Sequence, residues 1–235
     1  MIRLDKFLAQ MNMGTRSEVK NAIRKGKVLL NGEICKNADI KIDENSDVVC
    51  YENCEVIYEK FVYYMLNKPA GVVSATKDNL DKTVMDLLCD VKKQDVFPVG
   101  RLDKDTEGLL LLTNDGELAH QLISPKNHAE KVYEVELDGE VPNRLIEEFA
   151  KGVVLHDGTA LKPAGLKITD KNKCVVTLTE GKYHQIKRMF GVYELGVNQL
   201  NRIAFGGVLL GNELKEGQAK MLTNNELKLL KNSKK

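Results

Sequence analysis

Leu109–Leu112 is an unbroken run of four leucines, followed by Thr113 and the turn sequence Asn114-Asp115-Gly116. Such a run is too apolar to lie in water. It is also far too short for a helical membrane span, which takes about 20 residues. It reads as a buried strand closed by a turn, because Asn, Asp and Gly accept the backbone geometry that reverses a chain. The other long apolar stretch, Phe61–Leu66, is also far short of a span. The opening residues Met1-Ile2-Arg3-Leu4-Asp5-Lys6 lack the apolar core of a signal peptide. A cytoplasmic protein is expected.

Around that strand the chain alternates short β and α patterns. Strands are expected at Phe61–Leu66, Lys131–Leu137, Val175–Leu178 and Val208–Leu210. Helices are expected at Thr83–Val91, Glu117–Ile123, Pro142–Lys151, His184–Phe190 and Asn224–Leu230. Leu145, Ile146 and Phe149 form the apolar side of the third, and the Lys228–Lys235 tail frays. No regular βαβ beat appears, so the fold class is α+β with a mostly antiparallel sheet.

Residues 1–59 form a separate small unit, and residues 60–235 form the larger domain. Ile2, Leu4, Phe7 and Leu8 recur at helical spacing. A second helix runs from about Ser17 to Lys25, capped by Thr15 or Ser17 and ended at Gly26. Val28–Leu30 is a strand, Asn31-Gly32 a hairpin turn, and Val48–Ile57 one further β element.

The net charge of +1 conceals an uneven distribution. Residues 1–41 hold nine Lys and Arg against four acids, whereas residues 42–59 hold six acids and no base. A basic block on a helix pair focuses a field suited to phosphates, although charge runs also simply solubilise a surface.

Several chemistries are excluded. No Gly-x-Gly occurs among the eighteen glycines, so the dinucleotide and methyl-donor fingerprint is missing. The Gly-x-x-x-x-Gly pairs at Gly191/Gly196 and Gly206/Gly211 are not followed by Lys-Ser or Lys-Thr, so there is no P-loop. Five irregularly spaced cysteines read as reduced thiols. Cys50 and Cys54 lack two further ligands for zinc. Neither a metal nor a cofactor is expected.

Two residues carry candidate chemistry. Asp103, with Asp105 and Glu107, lies in an acidic stretch that also holds Arg101 and Lys104, just before the leucine strand. A carboxylate in such a loop serves as nucleophile, as base, or as a brace for the loop itself. Tyr133 lies in an alternating strand, so its ring points to one face, as a core residue or as a stacking surface.

The first 47 residues resemble the S4 RNA-binding domain. The matching segments are Arg3-Leu4-Asp5-Lys6-Phe7-Leu8, Arg16-Ser17-Glu18-Val19-Lys20, Ile23-Arg24-Lys25-Gly26-Lys27-Val28 and Asn31-Gly32. The stretch Pro98–Gly116, centred on Gly100-Arg101-Leu102-Asp103, is similar to the signature of the RsuA-type pseudouridine synthases. Three further segments match that family in order. They are Asn67-Lys68-Pro69-Ala70-Gly71, Lys131-Val132-Tyr133-Glu134-Val135 and Glu180–Met189, which contains Tyr183-His184-Gln185-Ile186-Lys187-Arg188.

The resemblance implies a cofactor-free isomerase that detaches uracil from C1′ and rejoins it through C5. It implies Asp103 as the catalytic carboxylate and Tyr133 as the ring that stacks on the base. Lys187 would pair with Asp103 and keep it ionised, with Arg188 the alternative partner, since adjacent helix positions face different ways. Arg101 would fill the gap left by a flipped nucleotide, or else form a salt bridge with Asp105 or Glu107. Lys68, Arg188 and the S4 residues Arg3, Lys6, Arg16, Lys20 and Arg24 would contact RNA. Phe205 and Leu209 are expected to pack in the core.

The wording Tyr183–Met189 is similar to that of the small-subunit rRNA members. It implies 16S rRNA as substrate, at the family's uridine 516, in an assembling small subunit, with the protein a monomer. A 23S rRNA synthase, a non-catalytic ribosome-assembly factor and an S4-containing methyltransferase are the alternatives.

Overall fold

The computed structural model describes residues 1–11, 13–88, 95–124, 127 and 129–233. Cys89, His128, Lys234, Lys235 and the far end of the expected Thr83–Val91 helix lie outside the described residues. The backbone forms two compact units, one on Met1–Val62 with Asp95 and the other on residues 63–88 and 96–233.

In the first unit β1 (Ile2–Arg3), α1 (Leu4–Gln10), α2 (Arg16–Arg24), β2 (Val28–Leu30), β3 (Glu33–Ile34), β4 (Lys41–Ile42), β5 (Val49–Tyr51) and β6 (Cys54–Glu55) follow in order. Ile2 belongs to β1, paired with Ile42, and not to the helix that its spacing predicted. Thr15 caps α2 reciprocally. Its hydroxyl accepts from the Glu18 amide at 3.3 Å, and the Glu18 carboxylate accepts from the Thr15 amide at 2.7 Å. Asn31 and Gly32 both take positive φ, 52° and 86°, the geometry that a two-residue hairpin turn requires. The single β element expected at Val48–Ile57 is a hairpin of β5 and β6, turned at Glu52 and Asn53, which also have positive φ. Leu4, Phe7 and Leu8 of α1 pack with Val19 and Ile23 of α2 over Val28, Ile42 and Val49.

The second unit contains β7 (Tyr63–Lys68), a 3₁₀ turn at Val84–Leu87, β8 (Phe97–Pro98), β9 (Glu107–Thr113), α3 (Gly116–Ile123), β10 (Lys131–Leu137), α4 (Arg144–Lys151), β11 (Gly165–Asp170), β12 (Lys173–Leu178), α5 (Gln185–Gly191), β13 (Val197–Phe205), β14 (Val208–Leu209), β15 (Ala219–Met221) and α6 (Asn224–Asn232). Nine of these strands form one sheet, with the main order β11-β12-β10-β13-β9-β7-β15. Every pairing in it is antiparallel except that of β9 with β13. The fold is α+β.

The leucine run is β9, and residues 108–113 are buried whichever face they point to. That is why it reads as a continuous apolar run and not as an alternation. Leu109 and Leu111 join Leu118 and Leu122 of α3, Phe205, Val208 and Leu230 in one core. Phe149 of α4 meets Phe190 of α5 with ring centroids 5.1 Å apart.

Two core expectations are corrected. Ile146 is exposed because α4 turns only the i,i+4 pair Leu145 and Phe149 fully inward. Leu209 is also exposed: β14 pairs Val208 with Phe205 and buries it, so alternation turns Leu209 out. β11, β13 and β15 escaped the sequence reading, because their mixed polar positions give no clean period, and so did the two-residue β8.

Candidate active site and basic face

A cleft of about 140 Å³ opens in the second unit, close to the ~150 Å³ that accommodates one benzene-sized ring. Its lining brings together the loop after β8, strands β10 and β13, and the start of α5. Arg101, Asp103 and Tyr133 all line it. Tyr133 is mostly buried, so its ring is walled in by the cleft and the sheet together.

The Asp103 loop is held by its backbone. The Ser74 hydroxyl donates to the Leu102 carbonyl at 2.8 Å and accepts from the Leu102 amide at 3.0 Å. The Thr106 amide donates to the Asp103 carbonyl, and the Gly71 amide to that of Lys104. Lys68 completes the clamp. Its Nζ is fully buried and donates to the carbonyls of Pro69, Lys104 and Thr106 at 3.0, 3.2 and 2.7 Å. Burial pushes this ammonium down to about 8, against the pull of Asp105, Glu107 and Asp103. The expected RNA contact of Lys68 is therefore corrected: a side chain spent on three carbonyls has no surface to offer a phosphate.

The loop leaves the Asp103 carboxylate comparatively open. It is 28% exposed, and the basic group paired with it among the described residues is the His184 imidazole, whose Nε2 lies at 3.6 Å. The expected Lys187–Asp103 pair does not form. Lys187 Nζ instead grips both oxygens of Asp105, at 2.5 and 2.6 Å, and holds that carboxyl below the usual range. The Lys187 side chain leaves α5 toward the solvent side of the loop, where Asp105 stands. Arg188 points elsewhere and pairs with Asp157, as adjacent helix positions require. Arg101 is exposed at the cleft and makes no ion pair among the described residues, so its expected bridge to Asp105 or Glu107 is absent there.

Sequence reasoning missed three residues here. His184 takes a left-handed φ of 47° immediately before α5, and Tyr183 stacks on it at 3.8 Å. Lys131 and Arg202 line the cleft and are mostly buried. Lys131 was findable, since alternation puts it on the face of Tyr133 two residues later. Arg202 carries no such signal, because its neighbours come from strand register. Gly108 admits that register. It pairs with Arg202 at φ +99°, and a Cβ there would lie 2.4 Å from the Arg202 carbonyl.

In the first unit a buried aspartate organises the basic residues. Asp5 is fully buried, with Arg3 at 2.8 Å, Lys20 at 3.6 Å and Arg16 at 3.8 Å. The Arg3 hydrogen bonds hold its carboxyl below the usual range. Arg3 also bridges to Asp39. Lys6, Arg16 and Arg24 are exposed around this cluster.

Residues 62–191, which contain Asp103, Tyr133 and Lys187, match the family model of RNA pseudouridylate synthases, and residues 2–48 match the S4 domain. The chain belongs to the RNA pseudouridine synthase family. The synthase is 43% identical to an uncharacterized RNA pseudouridine synthase of Bacillus subtilis, over 97% of this chain and 98% of that one. It is 39% identical to ribosomal small subunit pseudouridine synthase A of Escherichia coli, over 96% and 98%. A crystal structure of a pseudouridylate synthase superposes on the synthase with a TM-score of 0.70 and 38% identity, covering 98% of this chain and 100% of that one. No helix among its described residues is long and apolar enough to cross a membrane.

Proposed function

We propose that this RsuA-type synthase isomerises one uridine of 16S rRNA, with Asp103 as its reactive carboxylate. The observation that carries the reading is a single ring-sized cleft lined by both Asp103 and Tyr133. A uridine inside a stacked helix is out of reach, so the enzyme extrudes it, at a cost of a few kcal/mol. Tyr133 then stacks on the uracil, a contact worth ~1–3 kcal/mol. Asp103 faces the sugar and begins the detachment of N1 from C1′. Lys187 acts through Asp105, two residues along the same loop. Arg101, exposed at the cleft, takes the place of the departed base or holds its phosphate.

Residues 1–59 act as the RNA-binding unit, with Lys6, Arg16, Lys20 and Arg24 on phosphates. The 16S substrate rests on the small-subunit relative and on the Tyr183–Met189 wording. The synthase works as a cytoplasmic monomer on RNA of an assembling small subunit.

Tritium release from 5-[³H]uridine-labelled rRNA tests this, because forming the C1′–C5 bond sends the C5 hydrogen to water. Release from 16S rRNA that stops with Asp103→Asn supports the reading. Release from 23S rRNA alone overturns the substrate. Retained binding with no release from any RNA points to an assembly factor.

A further inference from the structure

Two buried cations lie in the cleft beside Tyr133, and the reading above gives them no task. Arg202 is 2% exposed. Its Nε donates to the Leu109 carbonyl at 2.7 Å, but its buried Nη2 has no hydrogen-bond partner among the described residues. Thr106 lines the same cleft, and its buried hydroxyl is likewise without one among the described residues. Lys131 is 9% exposed, and among the described residues its Nζ donates one hydrogen bond, to the Ala129 carbonyl at 3.1 Å. Burying a charge with donors left open is costly, so the fold must gain from it elsewhere.

The sheet is shaped to bring these groups together. On β10, Lys131 and Tyr133 share a face by alternation. Across the strand gap Val132 faces Ala204 and Tyr133 faces Arg202, so Ile203 is an extra, bulged residue. That bulge puts Arg202 and Phe205, three positions apart, on one side. Arg202 Cζ lies 4.9 Å from the Phe205 ring centre, and Lys131 Nζ lies 5.2 Å from it. The result is an aromatic floor carrying two cations. Burial and the Arg202 charge push Lys131 down to about 8, and Glu180 pulls it back. The Glu180 carboxylate already accepts from Gln185 and from the Lys162 amide.

We propose that Arg202 and Lys131 hold the negative charge that develops on the uracil carbonyls when the C1′–N1 bond breaks. The inference rests on the reading of this cleft as the uridine site. If Asp103 bonds to C1′, the C1′–N1 electron pair leaves with the base. If Asp103 removes the C2′ proton, a C1′–C2′ double bond forms and the same pair leaves. In both routes the detached uracil is an anion with its charge spread over O2 and O4. Donors fixed where charge develops, in a site that excludes water, stabilise it without reorganising. The occupant is a base and not a phosphate because Phe205, Leu200 and Tyr133 wall the floor. Arg101, exposed at the cleft, is the cation open to a phosphate, whereas Lys182 Nζ is on the Ala160 carbonyl.

The test compares Arg202→Gln and Lys131→Gln with the wild type on uridine RNA and on 5-fluorouridine RNA, whose base is the more stable anion. Single-turnover rearrangement at saturating RNA, RNA affinity at several salt concentrations, and thermal melting are measured. Arg202→Gln is expected to slow uridine rearrangement about 100-fold, with affinity unchanged and a clearly smaller loss on 5-fluorouridine RNA. Equal losses on both RNAs overturn the inference. So does weaker binding with a flatter salt dependence, which marks a phosphate contact. If Arg202→Gln does not fold, Lys131→Gln and the charge-preserving Arg202→Lys carry the same comparison. A wild-type enzyme that releases no tritium from any rRNA sinks the functional reading instead, and the inference with it.

Discussion

Two aspartates sit among basic side chains, one in each unit, and their surroundings differ. Asp5 is fully buried and has three cations within 4 Å, with Arg3 hydrogen-bonded to both of its oxygens. Asp103 is partly exposed and, among the described residues, has one basic side chain within 4 Å, the imidazole of His184 at 3.6 Å. The loop of Asp103 is held instead by bonds to its backbone from Ser74 and Lys68. A carboxylate whose oxygens are all engaged is a brace. A carboxylate held only by its backbone keeps its oxygens available for chemistry.

The comparison breaks most sharply at Asp103. Asp103→Asn is expected to reduce tritium release by more than about 100-fold while leaving the melting temperature near that of the wild type. A large drop in melting temperature would make Asp103 a brace like Asp5.

The reverse holds for Asp5. Asp5→Ala leaves Arg3, Arg16 and Lys20 repelling one another and should destabilise the first unit by about 2 kcal/mol in denaturant titrations. A change under about 0.5 kcal/mol, the level of an ordinary surface substitution, would remove its bracing role.

Lys68 sharpens the comparison through pH. Its folded-state value lies near 8, against 10.5 for an ordinary lysine. Below pH 8 it is charged in both states, and the cost of burial is felt in full. Between about pH 8 and 10.5 the unfolded chain binds the extra proton, so stability rises with pH. Lys68→Met should remove part of that rise, at most ~3 kcal/mol, measured as unfolding free energy at pH 7.5 and 10. Identical pH profiles for the two proteins would contradict a buried charged clamp.

The smallest effect is expected at α5. Lys187→Gln frees Asp105 and should lower kcat several-fold, with under about 1 kcal/mol of stability lost, as for other exposed pairs. Arg188→Gln, which releases Asp157, should leave kcat unchanged. Equal effects would mean that both helix positions serve the loop.

Much of this molecule was legible in short windows of sequence. The capping pair Thr15 and Glu18, the Asn31-Gly32 turn and the buried leucine strand all follow from residues a few positions apart. The placement of Asp103 before that strand follows in the same way, and so does the shared face of Lys131 and Tyr133. Local conformational preference and alternation decide such features wherever the rest of the chain lies. Side-chain partners were a different matter. Lys68 reads as a basic loop residue until the carbonyls of Lys104 and Thr106 close around it. Lys187 turned to Asp105 and not to Asp103, a choice made by the path of a loop 82 residues away in sequence. Arg202 reached Tyr133 only through the register of two strands and one bulged residue. A single step in that register would turn it to the opposite face, and only the assembled sheet sets the register.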